Sequence, residues 1–259
     1  MAVRNLLDLS GKVAIVTGAS RGIGLQMAEG LGEMGARIAI TARKQDELDE
    51  ARAHLERMRI ECLTVASDLA RFETIPGIVD AVLSRWGKID ILVNNAGCNW
   101  AAPAEEYPDD GWRKVMSLNV DAQFFLCREI GKRAMIPHRS GKIINIASIA
   151  GLFGNPPKWG MQTMAYNASK GALVNMTRAL AAEWGCYNIN VNAICPGFFP
   201  SKMTKVTLDR IERDVLEMTP IGRLGGDEDL KGSVVFLASE ASRHVTGQAI
   251  AVDGGVTVI

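Results

Sequence analysis

The 259-residue sequence predicts an α/β fold, a doubly wound parallel sheet of about seven strands with helices on both faces. Three observations predict it. Short β-branched runs alternate with longer helical patterns along the chain. The runs are nearly continuous in apolar character, as strands covered on both faces require. Between them no composition break, repeat or low-complexity linker intervenes, so residues 1–259 read as a single domain. At this length, 47% hydrophobic residues suffice for one large core.

The elements follow in order. KVAIVT (12–17) is the first strand and GIGLQMAEGLGEMG (22–35) the helix after it. ARIAIT (36–41) is the second strand, followed by the helical QDELDEARAHLERM (45–58). CLTVAS (62–67), IDILVN (89–94), GKIINIAS (141–148) and NINVNAIC (188–195) supply four more strands. The helical DEDLKGSVVFLAS (227–239) precedes a final strand in QAIAVDGG (248–255). Residues 112–134 and 165–184 are helical and unusually apolar for a monomer's surface. The alternative for these two is burial against the sheet.

Composition excludes several classes. Lys+Arg and Asp+Glu balance at 29 each, so no basic field points to nucleic acid or an anionic membrane. No run has signal-peptide or membrane-spanning character. The five cysteines are scattered without a C-x-x-C pair, which suits reduced thiols in the cytoplasm. His54, His138 and His244 lie far apart in sequence, and no metal site is expected.

The first motif is VTGASRGIG, between the first strand and the first helix. Gly18, Gly22 and Gly24 permit a tight turn, and with Ser20, Arg21 and Ile23 they bring backbone N–H groups toward a pyrophosphate at the helix N-terminus. A site for NAD commonly places an acid at the end of the second strand, to bond the ribose 2′-hydroxyl. Here Ala42 is followed by Arg43 and Lys44. Together with Arg21 they suit a 2′-phosphate, because guanidinium pairs well with phosphate. The expected cofactor is therefore NADP(H). A solvated basic turn is the alternative.

The second motif is AYNASKGAL (165–173), which carries one of only three tyrosines. The i, i+4 spacing puts Tyr166 and Lys170 on one helix face. A free phenol titrates near ~10 and is a poor acid–base catalyst at neutral pH. A cation about 4 Å away, at an effective dielectric of ~20, contributes roughly 4 kcal/mol, or about three pKa units. Desolvation of the lysine removes part of this. In isolation the pair reads as an amphipathic surface pair, and the dinucleotide motif takes it out of isolation.

With these motifs in chain order, the sequence resembles the classical short-chain dehydrogenases/reductases, from TGASRGIG to the C-terminal VDGG. The resemblance implies a Rossmann-type sheet and hydride transfer between NADP(H) and a secondary alcohol or ketone. It implies that Tyr166 exchanges the hydroxyl proton, that Lys170 lowers its pKa and holds the nicotinamide ribose, and that Ser148 bonds the substrate oxygen. Asn119 would anchor a water in a proton relay, or would merely satisfy local backbone groups. Asp68, with Leu69, would contact adenine. Asn95, Ala96 and Gly97 of NNAG (94–97) would lie beside the cofactor, Pro196 and Gly197 would face the nicotinamide, and Thr204 would meet its carboxamide.

One feature departs from the family pattern: Tyr166 follows Ser148 by 18 positions, several more than in many members. The extra length falls in 151–164, where Pro156 and Pro157 stiffen the chain. Lys158 and Trp159 would then offer a substrate a cation and a flat apolar wall, or form an exposed loop tip. Cys98 to Trp100 would enter from another strand end, and residues 197–218 resemble a substrate-side lid. TARKQDEL and PGFFPSKMT resemble gluconate 5-dehydrogenase-type members, which implies a small-molecule sugar acid or polyol substrate. Similar lids in 3-oxoacyl reductases make thioester reduction the alternative. A non-catalytic nucleotide-responsive binding protein would be expected to have lost Tyr166 or Lys170. Family members are commonly homotetramers, with a dimer the second expectation.

Overall fold

Parallel strands need crossovers, and the order of those crossovers decides where a crevice opens. The computed structural model describes residues 2–202 and 204–259. After the short α1 (Val3–Leu6), the chain enters β1 (Val13–Thr17) at the middle of the sheet. It winds outward through α2 (Gly22–Glu33), β2 (Arg37–Ala42), α3 (Gln45–Arg57) and β3 (Cys62–Ala66). Then α4 (Ile75–Trp86) carries it back across the sheet to β4 (Ile91–Asn94), on the other side of β1. Next come α5 (Asp109–Met116), α6 (Ala122–Ile130), α7 (Ile136–His138) and β5 (Gly141–Ile146). The remainder is α8 (Met164–Trp184), β6 (Ile189–Pro196), α9 (Lys205–Glu217), α10 (Lys231–Ala238) and β7 (Ala249–Val252). Among the described residues the seven strands form one parallel sheet in the order β3-β2-β1-β4-β5-β6-β7.

Alternate residues of each strand face opposite layers, and both layers are apolar. Ala14 and Val16 of β1 pack with Met27 and Leu31 of α2, Leu48 of α3 and Val234 of α10. Val13 and Ile15 of the same strand pack with Val79 and Val82 of α4, Leu126 of α6 and Leu180 of α8. Continuous apolar runs are the consequence. Every expected strand is present, displaced by up to three residues at its ends. The helix expected over 227–239 begins only at Lys231, after a turn in which Asp229 accepts from the Gly226 N–H at 2.7 Å and ion-pairs with Arg223.

The helix expected over 112–134 is longer, and π turns at Ser117–Asp121 and Gly131–Met135 interrupt it. Each widened turn shifts the helix face, a feature frequent at functional sites. At the second, a Cβ on Gly131 would lie 2.6 Å from the Trp184 ring of α8, so only glycine lets the two helices approach this closely. A buried polar chain ties the same layer to the sheet. Asn94 Nδ2 donates to Asn145 Oδ1 (3.0 Å), and Asn145 Nδ2 donates to Thr177 Oγ1 (2.9 Å).

Residues 151–164 fold back onto themselves. Asn155 Nδ2 donates to Thr163 Oγ1 (2.9 Å) and to the Met161 carbonyl (3.2 Å), and Thr163 Oγ1 donates to Asn167 Oδ1 (2.9 Å). Here the expectation of a tryptophan wall needs correction. Trp159 is only 1% exposed and packs with Ile149, with Ile211 and Val215 of α9, and edge-on to Phe198 at 5.2 Å. Burial of the large apolar ring against α9 outweighs leaving it as an open surface. Lys158 beside it is exposed. Replacing Trp159 with alanine should remove a share of the ~3–5 kcal/mol typical of such a truncation, felt locally. Hydrogen exchange should then quicken in 205–217 while β1, β4 and β5 keep their protection. Equal loss throughout, or none in α9, would show that the ring does not seat that helix.

Candidate active site

The strand order reverses between β1 and β4, so the crevice for a ligand opens at their carboxyl ends. Gly18 and Gly22 there have φ of +64° and +59°, a left-handed conformation that favours glycine. A Cβ on Gly24 would overlap the Asn95 amide and lie 2.6 Å from the Gly18 carbonyl oxygen. Arg21 precedes α2 as an extended residue whose side chain does not cap the helix, leaving its first N–H groups for an anion. Asn95 bolts this loop down: its Nδ2 donates to the carbonyls of Thr17 (2.8 Å) and Gly18 (3.1 Å). In return the Thr17 hydroxyl accepts from the Asn95 and Ala96 N–H groups, both at 2.9 Å. The cradle fits the pyrophosphate of a dinucleotide, with Ser20 and Ile23 on its rim.

The ribose side is more crowded than the sequence suggested. Arg43 is exposed after Ala42, but Arg21 and Lys44 both pair with Glu47, at 2.8 and 3.2 Å. Asp68 Oδ1 accepts from the Ala70 N–H at 3.2 Å, which folds the turn after β3, and Leu69 is buried beneath it. Across the crevice, Gly197 N–H donates to the Val252 carbonyl at the end of β6, and a Cβ there would lie 2.8 Å from Asp253. The Thr204 hydroxyl donates to the Phe199 carbonyl (2.7 Å) and holds the turn that leads into α9. Ser201 in that turn comes within 4.0 Å of where a Gly22 Cβ would stand, so the segment leading into α9 borders the glycine loop.

Three elements deliver the four candidate catalytic side chains. Ser148 follows β5, Tyr166 and Lys170 sit in the first two turns of α8, and Asn119 lies in the first π turn. The Ser148 hydroxyl neighbours the Tyr166 phenol closely enough to favour its anionic form, and it accepts from the Ala150 N–H at 3.1 Å. Lys170 Nζ donates to the Ile146 carbonyl at 2.7 Å and stands 5.5 Å from the centre of the Tyr166 ring. A Cβ on Gly97 would lie 3.2 Å from Asn119 Oδ1 and 3.7 Å from Lys170 Nζ, so glycine keeps this meeting point open. Asn119 is fully buried. Its Oδ1 accepts from the Cys98 N–H (2.9 Å), and its Nδ2 donates to the Cys98 carbonyl (2.9 Å) and to Ser169 Oγ (3.0 Å). Ser169 Oγ donates to the Tyr166 carbonyl (2.8 Å), which joins the π turn to α8.

The electrostatics differ from the simple pair argument. Burial pushes the Tyr166 phenol above its ordinary pKa, and the neighbouring Ser148 hydroxyl offsets only part of this. Burial also lowers the Lys170 ammonium to about 8. In the free protein the amine loses its charge before the phenol ionises, so it cannot act as the full cation the spacing implies. At neutral pH the Tyr166 phenol is protonated, with a proton it can donate, and the buried Lys170 amine is still largely charged.

A nucleotide crevice with a Ser–Tyr–Lys cluster at its mouth defines a nicotinamide-dependent oxidoreductase acting on CH–OH groups. A family model described as enoyl-(acyl carrier protein) reductase matches residues 18–257. The chain belongs to the short-chain dehydrogenases/reductases. It is 40% identical over 260 residues to gluconate 5-dehydrogenase of Gluconobacter oxydans, covering 100% of this chain and 99% of that protein. It is 38% identical over 252 residues to an NAD-dependent glycerol dehydrogenase of Listeria innocua, covering 97% and 96%. A gluconate 5-dehydrogenase from Burkholderia cenocepacia, solved in complex with NADP and tartrate, superposes over 100% of both chains with a TM-score of 0.93 at 33% identity.

Sequence reasoning missed Thr17, Glu47 and Ser169. Each stands within a quoted motif (VTG, KQDEL, ASK), but polar residues beside a motif do not announce their partners. The buried lysine carries a measurable signature. Its penalty is full below pH 8 and gone above 10.5, so Lys170 makes the protein gain stability as pH rises through that window. From pH 8 to 10.5 the gap in unfolding free energy between cofactor-free wild type and Lys170→Met should move in the wild type's favour by about 3 kcal/mol, read by urea titration. A constant gap would show that burial does not suppress the charge.

Proposed function

We propose that this protein interconverts a secondary alcohol and a ketone on a sugar acid or polyol, using NADP(H) on one domain spanning residues 1–259. The observation that carries this reading is the grouping of Ser148, Tyr166 and buried Lys170, whose Nζ bonds the Ile146 carbonyl at 2.7 Å and stands 5.5 Å from the Tyr166 ring, at the mouth of the glycine cradle. Bound nicotinamide supplies or accepts the hydride and, when oxidised, adds a positive charge. The chain's own residues do the rest. Tyr166 donates its phenolic proton to the substrate oxygen in reduction and takes it back in oxidation. Ser148 holds that oxygen in place, and Lys170 stabilises the anionic form of the phenol. Gly18, Gly22 and Gly24 admit the pyrophosphate, while Asn95, Ala96, Gly97, Pro196 and Gly197 shape the floor on which the dinucleotide lies. Asn119, held to Cys98 and Ser169, fixes the space beside Lys170 in which a water continues the proton path.

NADP(H) is supported by three cations at the ribose end, Arg21, Arg43 and Lys44, and by the NADP in the Burkholderia cenocepacia enzyme. The NAD-dependent relative shows that the family background does not decide the matter. Sugar-acid chemistry is supported by the name of the Gluconobacter oxydans enzyme and by the tartrate, itself a hydroxy acid, in the Burkholderia complex. Five free thiols suit a reducing cytoplasm, and among the described residues no helix is long and apolar enough to cross a membrane. Half-exposed Trp112 on α5 and Phe124 on α6 support assembly as a homotetramer through these helices.

A screen of sugar acids, polyols and 3-oxoacyl thioesters, followed at the nicotinamide absorbance, tests the substrate class. Turnover confined to thioesters would overturn it. Arg43→Ala should weaken NADPH by ~1.5–3 kcal/mol and leave NADH nearly unchanged, as measured by fluorescence titration. A wild type more efficient with NADH would refute the cofactor reading. Tyr166→Phe should lower turnover by about 10²–10⁴-fold with NADPH binding retained. Activity within a few fold of wild type would remove Tyr166 from the chemistry.

A further inference from the structure

One carboxylate between the β1–α2 and β2–α3 loops gathers the polar groups around it. Glu47, in the first turn of α3, receives Arg21 Nη1 at 2.8 Å and Lys44 Nζ at 3.2 Å on one oxygen. Ser20 Oγ donates to its other oxygen at 3.4 Å. The Glu47 side chain is 21% exposed, while its arginine and lysine partners are 52% and 63% exposed. The hydrogen bond from Arg21, partly opposed by burial and reinforced by Lys44, holds the carboxyl below its ordinary pKa. Glu47 is therefore anionic at neutral pH. Arg43, the third cation here, has no ion pair among the described residues.

These loops are where a doubly wound fold takes the adenosine ribose. A 2′-phosphate needs cations, and Glu47 already holds two of the three. An unphosphorylated ribose needs a hydrogen-bond acceptor for its 2′-hydroxyl, and Glu47 is one. We propose that Glu47 is an internal competitor of the 2′-phosphate, which narrows the preference for phosphorylated dinucleotide and keeps the unphosphorylated form usable. The inference rests on the reading that Arg21, Arg43 and Lys44 face the 2′ position. It gives that site a specificity-determining anion that position 42 lacks.

The test uses adenosine 2′,5′-bisphosphate and adenosine 5′-monophosphate, which present the 2′ group without the nicotinamide. Both are titrated calorimetrically into wild type and Glu47→Gln at one fixed ionic strength. Removing the charge should tighten the bisphosphate by about 3- to 10-fold while leaving the monophosphate unchanged or weaker. Unchanged bisphosphate affinity overturns the proposal. So does a weakening shared by both ligands, which would make Glu47 a pillar that orients Arg21. The NADP(H) reading is judged separately, by the wild type alone: a wild type that prefers the monophosphate refutes it, while the Glu47 proposal is decided by the change in the ratio between variant and wild type. Thermal unfolding checks that the variant is folded, and Glu47→Ser serves the same comparison if it is not.

Discussion

The site depends first on the bridge between the ends of β1 and β4. A parallel ladder stops at its strand ends, and where the connections leave β1 and β4 in opposite directions the last backbone groups need partners beyond the ladder. Thr17 and Asn95 satisfy them reciprocally, one through a hydroxyl and the other through an amide. The bridge sets how close the glycine loop comes to Ala96 and Gly97. Since Gly97 faces Asn119 and Lys170, the same four hydrogen bonds fix the distance from the glycine loop to the proposed catalytic cluster. A dinucleotide has a fixed reach, so that distance is a requirement of the chemistry.

Polar side chains in the interior extend this control. The Asn94–Asn145–Thr177 chain and the Asn119–Ser169–Tyr166 chain both end on α8. Each buried polar group is costly unless paired, so a correctly folded helix α8 is one in which both chains close together. Packing alone would let a smooth apolar helix slide along the sheet. Hydrogen bonds at two points along its length remove that freedom, and Tyr166 and Lys170 inherit the precision.

Much of this was legible in the sequence. The strands were, because two-sided burial writes an unbroken apolar run, and the glycine loop was, because close backbone approach admits no other residue at Gly24. Tyr166 and Lys170 were visible as a pair, but their titration was not. Their pKa values follow from the depth of burial, which spacing does not encode. Glu47 stayed hidden because an acid in a first helical turn is ordinary, and only the fold brings Arg21 to it. Trp159 misled because a proline-stiffened loop suggests a tip, whereas this one turns its ring inward under α9. The π turns have no local signal, since they answer to Trp184 and to Asn119's partners across the layer.

The seam between residues 151–164 and α9 has a consequence for how such a pocket can diversify. Trp159 lies under Ile211 and Val215, Arg210 donates to the Gly160 carbonyl at 3.4 Å, and the indole N–H has no partner among the described residues. The two segments thus form one inheritable unit, although about forty residues of chain separate them. A graft of one without the other would bring an unmatched surface to the rim, leaving a hole where the indole was or a ring with no seat. Exchanged together, they would keep the buried seam filled and the sheet beneath it untouched, so this part of the scaffold recombines only as a two-piece cassette.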